Sequence, residues 1–337
     1  MKQIGKSISL VALVVAAVAF GGISIAAAQG KKTIRAGITD PLETAHGQGM
    51  LEFKKVLEAE TGGSIEVKLF PSNQLGTIVE QIENVKQGGQ EMSMSTPAWF
   101  SSFYPRIDML ELPFLMTSWE QAERLFSSPA FGELSQKAQQ ATGVRIVGVL
   151  PNGFRNVINK RRAVTQIEDL KGLKIRLQNS PVHLATFKAL GAVPVGVGWN
   201  ETYQAVQNGV VDGLENANAV LLSAKFQEVA PFVSNTRHFF GFLLVYVNPR
   251  FYDSLTPAEK TAFTKAMKAA EATNLRLAKE LDDKAVAGLR AAGAKVNDLT
   301  AEALGALRKS VQPVYDEFGP KFQPDLDQLQ KVVGGSS

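Results

Sequence analysis

Apolar residues follow two periodicities along most of the chain. Segments in which apolar and polar residues alternate, such as 64–70 and 173–178, have the period of a β-strand with one buried face. Segments in which apolar residues recur every three or four positions, such as 49–63 and 77–89, have the period of an amphipathic helix. Because the two kinds alternate, they predict an α/β fold with helices on the faces of a mostly parallel sheet. Further strands are predicted at 33–39, 91–96, 144–150, 154–159, 192–197 and 210–214, and further helices between 119 and 142, at 181–190 and at 201–208.

The alternation stops and begins again at 151–154, Pro-Asn-Gly-Phe, which has the composition of a crossover between two units. Residues 231–255 then predict two strands with a bend at Gly241. A capping box at Thr256 begins a helical pattern that runs to about Gly293. About 35 helical residues span about 50 Å, more than the width of one small domain. The pattern therefore predicts two lobes, a hinge and a helix that bridges both lobes.

The first 28 residues differ from the rest. Lys2 and Lys6 precede a long apolar run that ends in three alanines, which is typical of a cleaved export signal. The same run is about long enough for a retained membrane anchor, which is the alternative. We expect a signal peptide over 1–28, cleavage near Ala28 and a periplasmic product. Lobe I is then expected to comprise 29–152 and about 242–281, and lobe II 153–241 and about 282–337.

The overall composition is that of an ordinary globular protein, because 45% of the 337 residues are hydrophobic and 20% are charged. There is no cysteine, so the protein has neither disulfides nor the N-terminal cysteine of a lipid-anchored lipoprotein. The net charge is +4, and removal of Lys2 and Lys6 leaves 4 − 2 = +2. So small a surplus does not indicate a nucleic-acid partner. We expect a monomer.

Common catalytic motifs are missing from the sequence. The histidines, His46, His183 and His238, match no zinc-binding spacing, and there is no Gly-x-Ser-x-Gly motif or phosphate-binding loop. Catalytic triads can assemble from distant residues, so an enzyme stays an alternative. The sequence favours a binding protein without catalytic residues, cofactor or metal.

Arginines suited to ligand recognition stand on predicted strands. Arg176 lies near the C-terminal end of 173–178, and Ser180 and Pro181 begin the next helix. In open α/β sheets, ligands bind at the carboxyl ends of strands. A guanidinium there can hold a carboxylate through two parallel hydrogen bonds. Arg155, on another predicted strand, offers a second guanidinium. The alternative for either arginine is an ordinary surface side chain.

Two further positions have both a functional and a structural interpretation. Trp199, just past a strand end, is either a core or lid tryptophan or an aromatic wall against the carbon skeleton of a ligand. Asn216 either donates its amide to a ligand oxygen or caps the following helix, and the local pattern favours the cap.

Seven short motifs occur in a characteristic order and spacing: LFPSNQLGT (69–77), LELPFLM (110–116), NGFRNVINKRR (152–162), DLKGLKIR (169–176), LGAVPV (190–195), GVVDGLEN (209–216) and KFQEV (225–229). Each motif is weak alone, but together they are specific. With them the mature chain resembles, along nearly its whole length, the DctP-type solute-binding proteins of tripartite ATP-independent periplasmic (TRAP) transporters. The resemblance implies a two-lobed periplasmic-binding-protein fold of type II, with a hinge and a long helix across both lobes.

The same resemblance implies the ligand contacts. Arg176 matches the signature arginine that pairs with the ligand carboxylate, and Arg155 matches a second arginine often found in the site. Trp199 matches the aromatic contact and Asn216 the asparagine of the site. Further positions expected in or facing the cleft are Thr96, Trp99, Glu43 and His46.

Departures from the family pattern bear on the ligand. Leu214 and Ala217 stand where the family commonly has glutamine and proline, Trp199 is bulky, and Thr96 offers no charge to an amine. A mono- or dicarboxylate, either a short C4 acid or a small aromatic or keto acid, therefore fits better than a zwitterion. The resemblance implies capture of such an acid and its delivery to TRAP membrane permease subunits. The alternatives are the binding protein of an ATP-driven (ABC) importer and a ligand-sensing partner of a membrane kinase.

Overall fold

The computed structural model describes residues 31–335, so the predicted signal peptide lies outside the described residues. Up to residue 159 the elements are β1 (Lys32–Gly37), α1 (Ala45–Glu60), β2 (Ile65–Phe70), α2 (Ile78–Gln87), β3 (Met92–Ser95), α3 (Pro97–Phe100), a 3-10 helix (Pro105–Glu111), α4 (Trp119–Phe126), α5 (Pro129–Thr142) and β4 (Arg145–Asn159). A 3-10 helix (Ile167–Leu170), β5 (Lys174–Leu177), α6 (Pro181–Ala189), β6 (Val193–Gly196), α7 (Trp199–Gln207), β7 (Gly213–Ala217), α8 (Asn218–Ser223) and a 3-10 helix (Phe226–Glu228) follow. The chain then forms β8 (Phe232–Val247), α9 (Pro249–Asp253), α10 (Pro257–Ala291), β9 (Lys295–Asp298), α11 (Ala301–Ser310), α12 (Gln312–Phe322) and α13 (Asp325–Gly334). Between residues 31 and 335, none of the helices combines the length and the apolar character needed to pass through a lipid bilayer.

The strands of the described residues form one mixed sheet in the order β2-β1-β3-β8-β4-β7-β5-β6, with β9 paired to β8 outside this path. One parallel group joins β1 with β2 and β3, and another joins β5 with β6 and β7. Between them, β8 pairs antiparallel with β3 and β4, and β4 pairs antiparallel with β7. The predicted α/β class is confirmed. Among the described residues five of the eight strand pairings are parallel, and the antiparallel pairings of β4 and β8 make the sheet mixed.

The two long central strands are continuous where the sequence predicts interruptions. Strand β4 runs through 151–154, the expected crossover, and β8 runs through Gly241, the expected bend. The register of the pair shifts at three places, one of them between Pro151 and Gly153. Gly153 has φ of +94°, and a Cβ on Gly241 would lie 2.1 Å from Oδ1 of Asn152. The proline and the glycines therefore mark β-bulges, which bend a strand without ending it.

Strand β7 lies three residues beyond its predicted position. The hydrophobic pattern predicts 210–214, whereas the strand occupies Gly213–Ala217 and includes Glu215. A charged residue normally argues against a buried strand, but Glu215 is paired with Arg155 on the neighbouring β4. The shift brings Asn216 into the strand rather than after it.

The predicted long helix is confirmed as α10, which has 35 residues and is capped by Thr256. Its first half packs against α1, where the rings of Phe263 and Phe53 meet edge-on with centroids 5.1 Å apart. Its later part contacts α8 and the following β9. Between these contacts, Nδ2 of Asn274 donates to the carbonyl of Pro151 at 2.8 Å. The helix thus contacts α1, the middle of β4, α8 and β9 along its length.

Candidate ligand-binding site

Side chains from both parallel groups of strands meet in one cleft. Asp40 follows β1, Thr96 follows β3 and Gln178 follows β5. The complete lining is Thr39, Asp40, Ile78, Thr96, Trp99, Asn152, Arg155, Arg176, Gln178, Trp199, Asn216, Val220 and Leu243. Six of the eight residues predicted from sequence are therefore brought together: Thr96, Trp99, Arg155, Arg176, Trp199 and Asn216.

Arg176 is held inside the protein by its place on β5. Lys174 at the start of the strand is exposed, whereas Arg176 retains only 1% of its surface. Its Nε donates to the carbonyl of Val197 at 2.9 Å, and its guanidinium lies 5.7 Å from the ring centroid of Trp199. The buried Nη2 has no hydrogen-bond partner within residues 31–335. One end of the guanidinium is therefore anchored, and the other is available to a ligand.

The electrostatic environment of Arg176 favours an anion. Burial lowers the pKa of Arg176 to about 9, because loss of water disfavours the charged form; Glu215 opposes this effect and Arg155 adds to it. The group is still a cation at neutral pH. A buried donor without an acceptor destabilises the folded protein, and a charged donor does so more strongly. A carboxylate in the cleft would relieve this penalty.

Arg155 has the opposite environment, because it already has a carboxylate. Its Nε and Nη2 donate to the two carboxylate oxygens of Glu215 at 2.5 and 2.7 Å, and Nη1 donates to Oδ1 of Asn216 at 3.2 Å. Burial disfavours the charge of Arg155, but Glu215 outweighs burial and raises its pKa. Burial likewise disfavours the charge of Glu215, but Arg155 and His238 lower the pKa of that carboxyl well below its usual range. The charge of Arg155 is thus compensated by the protein itself.

Trp199 and Asn216 border the two arginines. Trp199 is the first residue of α7, and its ring packs against Phe226 with centroids 5.7 Å apart, so it contacts the core as well as the cleft. Asn216 belongs to β7, and Ala217 holds the capping position before α8, without a side-chain hydrogen bond. The structure therefore places Asn216 in the cleft and not as the cap of the following helix.

Two polar contacts join elements on opposite sides of the cleft. The hydroxyl of Thr96 donates to Oε1 of Gln178, which links the end of β3 to the end of β5. Nδ2 of Asn73 donates to Oδ1 of Asn200 at 2.8 Å, which links the loop after β2 to α7. Trp99 lies on α3 beside the first of these contacts and is half-buried. These contacts hold the two walls of the cleft together.

Glu43 and His46 line a neighbouring cavity and not the cleft itself. Nδ1 of His46 lies 2.8 Å from Oδ2 of Asp40, and Asp40 lines the cleft. The first strand therefore contributes Asp40 to the cleft, whereas the two predicted residues stand behind it. In the described part of the chain, no three His, Asp or Glu side chains are grouped closely enough to hold a metal ion.

Four polar residues of the cleft do not appear among the sequence predictions. Thr39 and Asp40 follow β1 after one intervening residue, Gln178 directly follows β5, and Asn152 lies in a bulge of β4. The rule that sites form at the carboxyl ends of strands, which identifies Arg176, would also have identified the first three. Asn152 gives no such signal, because its segment has the composition of a loop.

Comparisons with known proteins identify the family of this chain. Residues 36–321 match the DctP family, "Bacterial extracellular solute-binding protein, family 7". A solute-binding protein of Verminephrobacter eiseniae is 33% identical over 308 residues, 91% of each chain. The 2,3-diketo-L-gulonate-binding periplasmic protein YiaO of Escherichia coli is 30% identical over 329 residues, 97% of this chain and 99% of that one. The crystal structure of a TRAP periplasmic solute-binding protein from Polaromonas sp., bound to D-erythronate, has a TM-score of 0.85 and 28% identity, and the match covers 89% of this chain and 98% of that one.

The fold is that of a periplasmic-type solute-binding protein. The chain belongs to the DctP family of bacterial extracellular solute-binding proteins. The relationship to TRAP solute-binding proteins, first indicated by seven motifs, is thereby confirmed. Because the family serves transport, the prediction of a binding protein rather than an enzyme is confirmed as well.

We predict that Glu215→Gln lowers the free energy of unfolding by about 3–5 kcal/mol, because it leaves the buried Arg155 without its counter-charge. Urea denaturation measures the change. The double variant Arg155→Met with Glu215→Leu removes both charges, so its free energy of unfolding should fall by less than that of the single variant. A single variant within about 1 kcal/mol of the wild type would contradict this role of the pair.

A pH series with the same variant checks the electrostatic origin of the effect. The pKa of Glu215 is lowered in the folded state, so its contribution is present above the unfolded value of about 4.3 and is lost as the pH falls. The stability difference between the wild type and Glu215→Gln should therefore shrink as the pH decreases from about 5. A difference that stays constant down to the acid transition would indicate a packing effect instead.

Proposed function

We propose that this protein captures a small organic acid in the cleft and delivers it to the membrane permease subunits of a TRAP transporter. The observation that carries the proposal is Arg176, a buried cation whose Nη2 has no partner among the described residues. Two relatives point the same way: the E. coli protein is named for 2,3-diketo-L-gulonate, and the Polaromonas protein holds D-erythronate. Both compounds are organic acids with a carboxylate.

The expected ligand carries its carboxylate at Arg176. Arg155 is compensated by Glu215, whereas Nη2 of Arg176 has no partner in the part of the chain that the structure describes, so Arg176 is the cation that the cleft offers to a ligand. A guanidinium can hold a carboxylate through two parallel charge-assisted bonds. Trp199 would border the carbon skeleton, and the amide of Asn216 would contact a ligand oxygen. The ligand class that follows is a mono- or dicarboxylate.

Capture is proposed to close two lobes around the acid. Lobe I would comprise 29–152 and about 242–281, and lobe II 153–241 and about 282–337. The contacts between Thr96 and Gln178 and between Asn73 and Asn200 would then join the lobes in the closed form. A ligand that touches both lobes favours closure, because its affinity for the closed form is higher. The permease would recognise the closed form.

Export places the protein where it would act. We propose that residues 1–28 direct the chain to the periplasm and that cleavage near Ala28 releases it. The family is periplasmic, which supports this location. The mature protein would then move between captured acid and permease without a membrane anchor.

We predict that Arg176→Lys weakens acid binding by roughly 10- to 150-fold, because an ammonium cannot form two parallel bonds to a carboxylate. A thermal-shift screen of mono- and dicarboxylic acids, including D-erythronate and 2,3-diketo-L-gulonate, identifies a binding acid, and calorimetry measures its affinity. Lys174→Arg on the exposed start of β5 is the matched control and should bind normally. Binding by Arg176→Lys within threefold of the wild type would contradict the proposal.

We also predict that Asn200→Ala lowers the affinity for the same acid by roughly two- to tenfold, because the substitution removes a hydrogen bond of the closed form. Small-angle X-ray scattering should still detect ligand-induced compaction, but only at higher acid concentration. Asn208→Ala, an exposed position just after α7, is the matched control. If Asn200→Ala binds and compacts like the control, the contact has no role in closure.

A further inference from the structure

A second cavity lies directly behind the cleft, between the start of α1, α8 and α10. It has a volume of about 350 Å³, whereas the cleft has about 40 Å³ in the same conformation. A cavity needs about 10–15 Å³ to hold one water molecule. The cleft therefore has room for a carboxylate group and a few further atoms, and the second cavity has room for much more.

The two cavities share a wall. Asn152 and Val220 line both of them, and the pair formed by Asp40 and His46 has Asp40 at the cleft and His46 at the second cavity. The two cavities therefore adjoin each other at Asn152 and Val220. We name the second cavity the side cavity.

The walls of the side cavity are mainly apolar. α8 contributes Ala219 and Leu222, and α10 contributes Ala278, Leu281 and Ala285. Burial of a methylene against such walls is favourable, whereas a ligand hydroxyl there would lose its hydrogen bonds to water. A hydrocarbon chain or an aromatic ring fits this surface better than a polyhydroxylated chain.

His46 contributes a buried polar atom beside this apolar wall. His46 is 2% exposed, and its Nε2 has no hydrogen-bond partner within the described part of the chain. Nδ1 faces the carboxylate of Asp40, so in the neutral ring Nδ1 carries the proton and Nε2 is an acceptor. Buried polar atoms of native proteins are normally paired. A single hydroxyl on an otherwise apolar ligand would provide the missing donor.

We propose that the side cavity receives the apolar distal end of the acid whose carboxylate pairs with Arg176. This inference rests on the proposed function and narrows it: the preferred ligand is a carboxylate with an extended aliphatic or aromatic body rather than a short dicarboxylate or a sugar acid. The exposed Glu43 and Lys284 mark the side of the cavity that borders solvent.

Calorimetry with straight-chain monocarboxylates from propionate to octanoate tests this inference. Affinity of the wild type should rise about two- to fourfold per added methylene once the chain reaches the side cavity. Ala219→Leu fills part of the cavity and should abolish this gain while short acids bind as before. Ala287→Leu adds the same atoms at an exposed position of α10, so the gain in affinity per methylene should equal that of the wild type.

A second readout needs no variant. The heat-capacity change of binding to the wild type should become more negative with each methylene, because more apolar surface is buried. An affinity and a heat-capacity change that are both independent of chain length would overturn the side-cavity inference. So would an equal gain per methylene in Ala219→Leu and in the wild type.

The outcomes separate this inference from the proposed function. Short acids that bind with a strong dependence on Arg176, but without a chain-length effect, would leave the proposed function intact and remove only the side-cavity inference. If Arg176→Lys binds every acid of the series as tightly as the wild type does, the proposed function fails, and the side-cavity inference fails with it.

Discussion

The proposed function depends on one physical feature, the burial of the Arg176 guanidinium with an Nη2 that has no partner between residues 31 and 335. Transfer of a charge from water into a protein is unfavourable unless the charge is paired. Arg176 nevertheless remains inside, because β5 is paired with β6 on one side and β7 on the other, and its neighbours Ile175 and Leu177 belong to the core. Inside the closed cleft, water cannot take the place of an anion, so a carboxylate that pairs with this guanidinium would gain binding free energy and favour the closed form.

Arg155 differs from Arg176 because its charge is paired inside the protein, so only one of the two arginines would be offered to a ligand carboxylate. Glu215 satisfies Arg155 through two short hydrogen bonds, and His238 adds a further contact to the same carboxylate at 3.3 Å. The buried pair thus contributes to the wall of the site, and its charge is not offered to the ligand. Under the proposed function, selectivity for the rest of the ligand would depend on Trp199 at the cleft and on the apolar walls of the side cavity.

Local sequence signals predicted much of the fold and the central site residue. The alternation of periodicities gives most strands, α10 is recognisable from its caps and length, and Arg176 follows from its place at a strand end. Features that depend on distant partners were missed: the bulges near 151–154 need the opposing β8, and Glu215 needs Arg155, 60 residues away along the chain. His46 was displaced from the predicted site because α1 begins at Ala45, four residues earlier than its pattern indicates.

The most direct test of this account is a crystal structure of the protein with an acid identified by its own thermal-shift response. The account predicts that a carboxylate lies within about 2.7–2.9 Å of guanidinium nitrogens of Arg176, with Nη2 among the donors. Arg155 should keep its two bonds to Glu215 in that complex. An acid bound with its carboxylate elsewhere, with Nη2 of Arg176 still lacking a partner, would contradict the central claim.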